Sequence, residues 1–206
     1  MLLTRFPATI VLATRNAGKL AELRARLGDL AVELVSAPDA GAAEVEETGD
    51  TLEANALLKA RALHAHTGLP ALADDTGLEV DALAGAPGVR SARYAGAGAT
   101  DADNRARLLT ALADETNRRA HFRTALAYVD GAGEHIFEGV CAGAIAGAER
   151  GTAGFGYDSL FVPDEQPPGA GARTTFAEMT AVEKNAISHR GRSVGAFVEW
   201  LAASKQ

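Results

Sequence analysis

At 206 residues and 21.2 kDa the chain is long enough to enclose a real hydrophobic core. Its 47% hydrophobic and 23% charged residues are ordinary globular values, which excludes a disulfide-stapled miniprotein or a multi-domain machine. Twenty Lys and Arg against 27 Asp and Glu leave a net charge of −7, which argues against a duplex nucleic-acid binder needing a basic face to release counterions. Arg outnumbers Lys sixteen to four, and three of the four lysines, Lys19, Lys59 and Lys184, sit inside conspicuous motifs.

From the N-terminus, Thr9 to Ala13 reads as a short buried strand, and Leu20, Leu23 and Leu27 follow at helical spacing. The run from Ala8 to Ala13 is too short for the core of a signal peptide. A second strand is predicted at Val32 to Val35, then an irregular segment from Pro38 to Gly49. Asp50 and Glu53 have capping-box spacing and open a long helix that Gly68 and Pro70 end. Pro70 to Ala73 is predicted as a buried strand, Asp74 to Gly77 as a turn, and Gly85 to Gly88 as a further loop. Asp101 to Arg118 forms a polar helix with Leu108, Leu109 and Leu112 inward. His121 to Val129 and His135 to Ile145 then form a long hairpin turning at Gly131–Gly133. Loops over Gly151–Asp158 and Pro163–Gly171 precede a capping box at Thr180 and Glu183. The last helix buries Val194, Phe197, Val198 and Leu201. Interleaved strands and helices with a hairpin predict one α/β domain over residues 1–206, a mixed sheet with helices on its faces. Cys141, between Val140 and Ala142, reads as a core thiol in a reducing compartment, hence the cytoplasm. No stretch approaches the roughly 20 apolar residues of a membrane-spanning helix.

Five segments carry chemistry. Thr14-Arg15-Asn16-Ala17-Gly18-Lys19 joins a strand to a helix, where backbone amides and a Lys cradle phosphate, although an Asn/Gly turn has the same composition. It is no Walker loop, since Leu20 stands where Ser or Thr would hold magnesium. Eight acids and no Lys or Arg lie between Leu27 and Leu58. Such a run is usually a solvated face, but Glu46-Glu47-Thr48-Gly49 precedes a capped helix and suits a hard cation. Asn55 and Lys59, four apart, share one helical face, toward either solvent or a ligand. Asp74-Asp75-Thr76-Gly77 after a buried strand is either an Asp-rich turn or a pair of carboxylates for magnesium and water activation. Gly154-Phe155-Gly156-Tyr157-Asp158 could stack a planar base or pack as an aromatic loop, and Lys184 to Arg190 is a donor-rich stretch or a basic patch.

In this order the segments resemble the inosine/xanthosine triphosphate pyrophosphatase family. The resemblance also includes Gly85-Ala86-Pro87-Gly88 with Ser91-Ala92-Arg93-Tyr94, and it runs from residue 14 to residue 191. It implies a mixed elongated sheet flanked by helices, with a nucleotide cleft between two lobes. It also implies a homodimer that hydrolyses ITP, dITP or XTP to the monophosphate and pyrophosphate with Mg²⁺. By the same resemblance Asp75 is the general base, Glu46 and Asp75 hold Mg²⁺, and Asp74 supports them. Thr14, Arg15, Asn16, Ala17, Gly18, Lys19, Lys59 and Thr76 contact the substrate, while Phe155, Gly156, Tyr157, Asp158, Lys184, His189 and Arg190 form the base pocket. Ser159 departs from the pattern, which often has Pro after the Tyr-Asp pair. The competing readings are a nucleotide-binding regulator without catalysis and a phosphatase of sugar or nucleotide monophosphates.

Overall fold

The computed structural model describes residues 9–14, 16–28, 32–169 and 173–204. Its first strand, β1 (Thr9–Leu12), is covered on both faces. Ile10 and Leu12 pack with Leu23, Leu27, Leu72, Leu126, Val194, Phe197 and Leu201, whereas Val11 packs with Ala37, Ala42, Leu63 and Ala71. Strands buried on both sides are what parallel pairing produces. Accordingly β1 runs parallel to β2 (Glu33–Ser36) and to β3 (Ala71–Val80). The short β4 (Pro87–Gly88) is antiparallel to β3. β5 (Arg119–Asp130) and β6 (Gly133–Ile145) form the expected long hairpin, whose turn is closed by the Asp130 carboxylate accepting from the amides of Ala132 and Gly133. β7 (Phe161–Pro163) pairs antiparallel with β6. The strand order is β2-β1-β3-β5-β6-β7, with β4 on β3, a mixed sheet in an α/β fold.

Helix ends follow local chemistry. Asn16 caps α1 (Ala17–Leu27) by accepting from the Lys19 amide, and the box at Thr180 and Glu183 closes over α4 (Ala181–Ile187) as predicted. The box predicted at Asp50 and Glu53 does not form. Thr51 takes the cap of α2 (Leu52–Thr67), its hydroxyl accepting from the Ala54 amide at 3.1 Å. Thr100 caps α3 (Asp101–Ala111), which stops short of the predicted Arg118. The Arg118 guanidinium turns back to donate to the Leu112, Ile145 and Ala146 carbonyls at the helix and strand ends. The last helix, α5 (His189–Ala203), buries Val194, Phe197 and Leu201.

The chain divides into two compact units, one made of Met1–Asp75, Thr124–Gly139 and Arg192–Gln206, the other of Thr76–Arg123 and Val140–Gly191. The first holds the aliphatic clusters around β1, extended by Tyr128 and Trp200. The second has a core of Leu78, Val80, Leu108, Leu112, Phe122, Cys141, Ile145, Phe161 and Phe176, with Phe122 and Phe161 edge to face at 4.7 Å. Among the described residues no helix is long and apolar enough to cross a membrane.

The turn predicted at Asp74–Gly77 is the middle of β3. It stays extended because both carboxylates find cationic partners, described below, and because Gly77 lies flat against β4. A Cβ on Gly77 would come 2.8 Å from the Gly88 carbonyl oxygen. Gly77→Ala is therefore expected to destabilise the protein by about 1–3 kcal/mol, the usual range for overpacking. Gly131→Ala, whose methyl would meet nothing within 4 Å, is expected to stay within about 0.5 kcal/mol. Urea-denaturation midpoints of the two variants measure both.

Candidate active site

Successive side chains in a strand point to opposite faces, and β3 puts two acids in succession. Asp74 meets α1, where Lys19 Nζ lies 3.1 Å from its Oδ2. Asp75 meets α2, with Asn55 Nδ2 donating to Oδ2 at 3.2 Å and Lys59 Nζ 3.4 Å from Oδ1. Asn55 and Lys59, one turn apart, thus point together at one carboxylate. Lys59 also donates to the Asp74 carbonyl at 2.8 Å and to Glu47 at 2.6 Å. Asn55 Oδ1 accepts from the Gly49 amide at 2.8 Å, and a Cβ on Gly49 would press against that oxygen. The loop Glu46-Glu47-Thr48-Gly49 is thereby tied to Asp75 through a single buried amide.

Of the other residues expected here, Glu46 is exposed, and its neighbour Glu47 is the one that reaches Lys59. Thr14 is buried, its hydroxyl accepting from the Asn16 amide. Asn16 and Ala17 lie exposed, and Gly18 half-buried, at the start of α1. Arg15 lies outside the described residues.

A second group lies in the other unit. Lys184, 5% exposed, is ion-paired to Asp158 at 2.6 Å. Its Nζ stands 4.8 Å from the centroid of the Phe155 ring, and the Arg190 guanidinium carbon stands 5.7 Å from the same centroid. Arg190, 2% exposed, donates to Thr76 Oγ1 at 3.1 Å. Asp158 also accepts from the Phe155 amide. Two further residues read as part of the base pocket are anchored in the core of this unit. Tyr157 is packed in the core with its hydroxyl donating to the Ser91 carbonyl at 2.8 Å. The His189 ring is stacked on Phe122 at 4.5 Å. In both cases the apolar body of the ring is worth more inside the second core than on a loop surface.

A model of the Ham1 family matches residues 10–200. The chain belongs to the Ham1 family. It is 47% identical over 199 residues to a dITP/XTP pyrophosphatase of Porphyromonas gingivalis, covering 95% of this chain and 98% of the relative. With a dITP/XTP pyrophosphatase of Streptomyces coelicolor the identity is 50%, over 92% of this chain and 94% of that one. Among solved structures it is similar to a HAM1 protein of Coxiella burnetii, with a TM-score of 0.84 and 42% identity over 95% and 98% of the two chains.

In this Ham1 chain the charges gathered at Asp74 and Asp75 include three carboxylates, Glu47, Asp74 and Asp75, against the ammonium groups of Lys19 and Lys59. Burial is the largest influence on Asp75 and pushes its carboxyl above the ordinary aspartate value. Lys59 opposes that shift and Glu47 adds to it. Burial works against the charge on Lys59 as well, but Asp75, Asp74 and Glu47 together outweigh it and raise the ammonium above its ordinary value. Among the described residues no three His, Cys, Asp or Glu side chains converge into a ready metal cage. Mg²⁺ keeps several waters and needs only one or two carboxylates, so the hard oxygens of Asp75 and the adjoining Glu46-Glu47 loop suit that ion. Asn55, which spacing placed on one helical face with Lys59, and Glu47 are structural partners to which the resemblance assigned no role. The signal for Asn55 was its position one turn before Lys59, and Glu47 carried none that separated it from Glu46.

Glu47→Gln removes the negative charge that helps raise Asp75 and frees Lys59 from a competing carboxylate, so both effects lower the Asp75 pKa. A carbon-13 NMR titration of the Asp75 carboxyl in the metal-free protein is expected to show its midpoint at lower pH in the variant than in the wild type.

Proposed function

We propose that this chain is a Mg²⁺-dependent pyrophosphatase acting on the non-standard purine nucleoside triphosphates ITP, dITP and XTP. The products are the nucleoside monophosphate and pyrophosphate, which keeps such nucleotides out of nucleic-acid synthesis. The observation that carries the reading is the Asp75–Asn55–Lys59 constellation, in a chain similar over more than nine-tenths of its length to proteins named dITP/XTP pyrophosphatases.

Asp75 is the general base, accepting the proton of the water that opens the α–β anhydride. Its raised pKa makes it a better proton acceptor than an ordinary aspartate. Lys59 and Lys19 hold phosphate oxygens by charge, and Asn55 fixes the rotamer of the base. Asn16, Ala17 and Gly18 offer the start of α1 to the phosphates, a natural anion site by its amides and dipole, and Thr14 and Arg15 are read as further contacts to the substrate. Glu46 and Asp75 would hold Mg²⁺, with Asp74 in support. When bound, the ion neutralises charge on the triphosphate. No Ser or Cys nucleophile is needed, in keeping with a buried Cys141.

Phe155 offers its ring to the purine, with Gly156 leaving room beside it. Lys184 and Arg190 supply donors, Asp158 holds Lys184, and Thr76 takes part through Arg190. Tyr157 and His189 serve the pocket from beneath, as packing. Donors aimed at a 6-oxo group satisfy hypoxanthine and xanthine. Adenine would set its 6-amino donor against them and leave buried groups unpaired, a mismatch that can reject a substrate by orders of magnitude. We read residues 1–206 as one functional domain acting as a cytoplasmic homodimer, with no nucleic-acid or membrane partner.

Incubation with ITP, XTP, dITP, ATP and GTP plus Mg²⁺ is expected to give pyrophosphate from the first three and little from ATP. Orthophosphate as product, or equal turnover of ATP, would refute the reading. Asp75→Asn is expected to lose turnover by about 10²-fold or more while the protein stays folded, since the amide oxygen still accepts from Asn55 and Glu47 still pairs with Lys59, but the amide takes no proton. Lys184→Ala or Arg190→Ala is expected to narrow the ITP/ATP ratio of kcat/KM, measured in the same assay.

A further inference from the structure

Phe155 stands between two glycines with positive φ, Gly154 at +78° and Gly156 at +60°, so the loop's own backbone does little to fix its ring. Yet every backbone polar group of the Phe155-Gly156 pair is bonded. The Phe155 amide donates to Asp158 Oδ2 at 2.9 Å, and the Phe155 carbonyl accepts from the Asp158 amide at 3.2 Å. The Gly156 amide donates to Asp101 Oδ2 at 2.7 Å, and the Gly156 carbonyl accepts from Arg105 Nη1 at 2.9 Å. Asp101 and Arg105 are four residues apart on α3, so one turn of that helix grips both polar groups of one residue. The grip continues outward, since Arg105 Nε donates to Glu149 Oε2 at 2.8 Å and Ser159 Oγ donates to the same carboxylate at 2.9 Å. Ser159 is the residue at which the sequence departs from the family pattern, and here it carries a hydrogen bond that Pro could not make.

We propose that Asp101 and Arg105 are positioning residues for the base platform, and that Glu149 and Ser159 hold Arg105 in place. The helix α3 fixes the orientation of Phe155 by gripping Gly156, a rigidity that the two glycines and Ser159 do not supply through their own backbone. The inference rests on the reading of Phe155 as the surface that meets the purine. Neither Asp101 nor Arg105 touches substrate. Their effect falls on the fraction of molecules with the ring ready to bind, and a base contact made alike in ground and transition states appears in KM and not in kcat.

The test compares Asp101→Ala, Asp101→Asn and Arg105→Ala with the wild type by amide hydrogen exchange over residues 154–158 without nucleotide, and by ITP kinetics with Mg²⁺. Asn keeps an oxygen for the Gly156 amide, so Asp101→Asn serves as the conservative rescue. The two alanine variants are expected to exchange faster in that segment and to raise KM for ITP roughly tenfold, the factor a single hydrogen bond of ordinary strength carries. Their kcat and their inhibition by inorganic pyrophosphate, which probes the phosphate end alone, are expected to stay at wild-type values, and Asp101→Asn is expected to stay close to wild type throughout. Unchanged exchange over 154–158 overturns the grip, whether or not the protein hydrolyses ITP. Faster exchange with an unchanged KM overturns its role in binding, as does a loss confined to kcat. A wild-type protein that exchanges as expected but does not act on ITP overturns the function proposed above and, with it, the assignment of the grip to a base platform.

Discussion

Two consecutive carboxylates lie inside β3, Asp74 at 2% and Asp75 at 6% exposure, and neither could remain ionised there without a counter-charge. The pleat of the strand sends them to opposite faces, and each carboxylate has an ion-pair partner of its own. Lys19 comes from α1 for Asp74 and Lys59 from α2 for Asp75, which ties the two flanking helices to the strand by charge as well as by packing. The helix starts inherit this constraint. Asn16 caps α1 by binding the very amide that precedes the Lys19 side chain, and Thr51 sets the start of α2 so that Asn55 and Lys59 face the strand together. Asn55 extends the constraint to the Glu46-Glu47 loop through the Gly49 amide. Removing a partner from such a cluster leaves a buried charge uncompensated, which is far worse than the loss of a surface ion pair.

The second group of residues works on another principle. Lys184 and Arg190 stand beside one aromatic ring, and burial makes each a costly cation to keep. Asp158 offsets the first and at the same time holds the Phe155 amide, so a single carboxylate sets both the charge and the backbone of the loop. Gly154 is required for that arrangement, because a Cβ there would collide with the Asp158 carboxylate. The aromatic packing of Phe122 with His189, Phe161 and Phe176 forms the floor under these groups. Polar selectivity is thus mounted on an apolar base, with few degrees of freedom left to the side chains that would read a ligand.

Features governed by neighbours in sequence were legible before any coordinates. The Thr180–Glu183 box, the hairpin at Gly131–Gly133 and the apolar stripe of α5 depend on residues a few positions apart, and each formed. The strand state of Asp74–Gly77 was not legible. Turn preference belongs to those four residues alone, whereas extension depends on Lys19, Asn55, Lys59 and Gly88. The same distinction applies to Tyr157, whose hydroxyl partner Ser91 is 66 positions away, and to the segment after α3, where Arg118 donates to the Ile145 carbonyl 27 positions away. Within the acidic loop, composition could not separate Glu46 from Glu47, because only the direction of the chain past Lys59 decides which carboxylate meets it.

The alternation of Asp74 and Asp75 has a bearing on how the sheet reaches its alignment. A one-residue slip of β3 against β1 would carry every β3 side chain to the other face, sending Asp75 toward the α1 side and Asp74 toward the α2 side. Either direction of slip brings at most one acid into the place of the other and leaves the second carboxylate buried one residue away from the ammonium group placed for it. A purely apolar strand could tolerate such an error as a sticky near-native trap. Here the misaligned pairing is penalised by charge, so the same two side chains that equip the strand for chemistry act as a lock on its register.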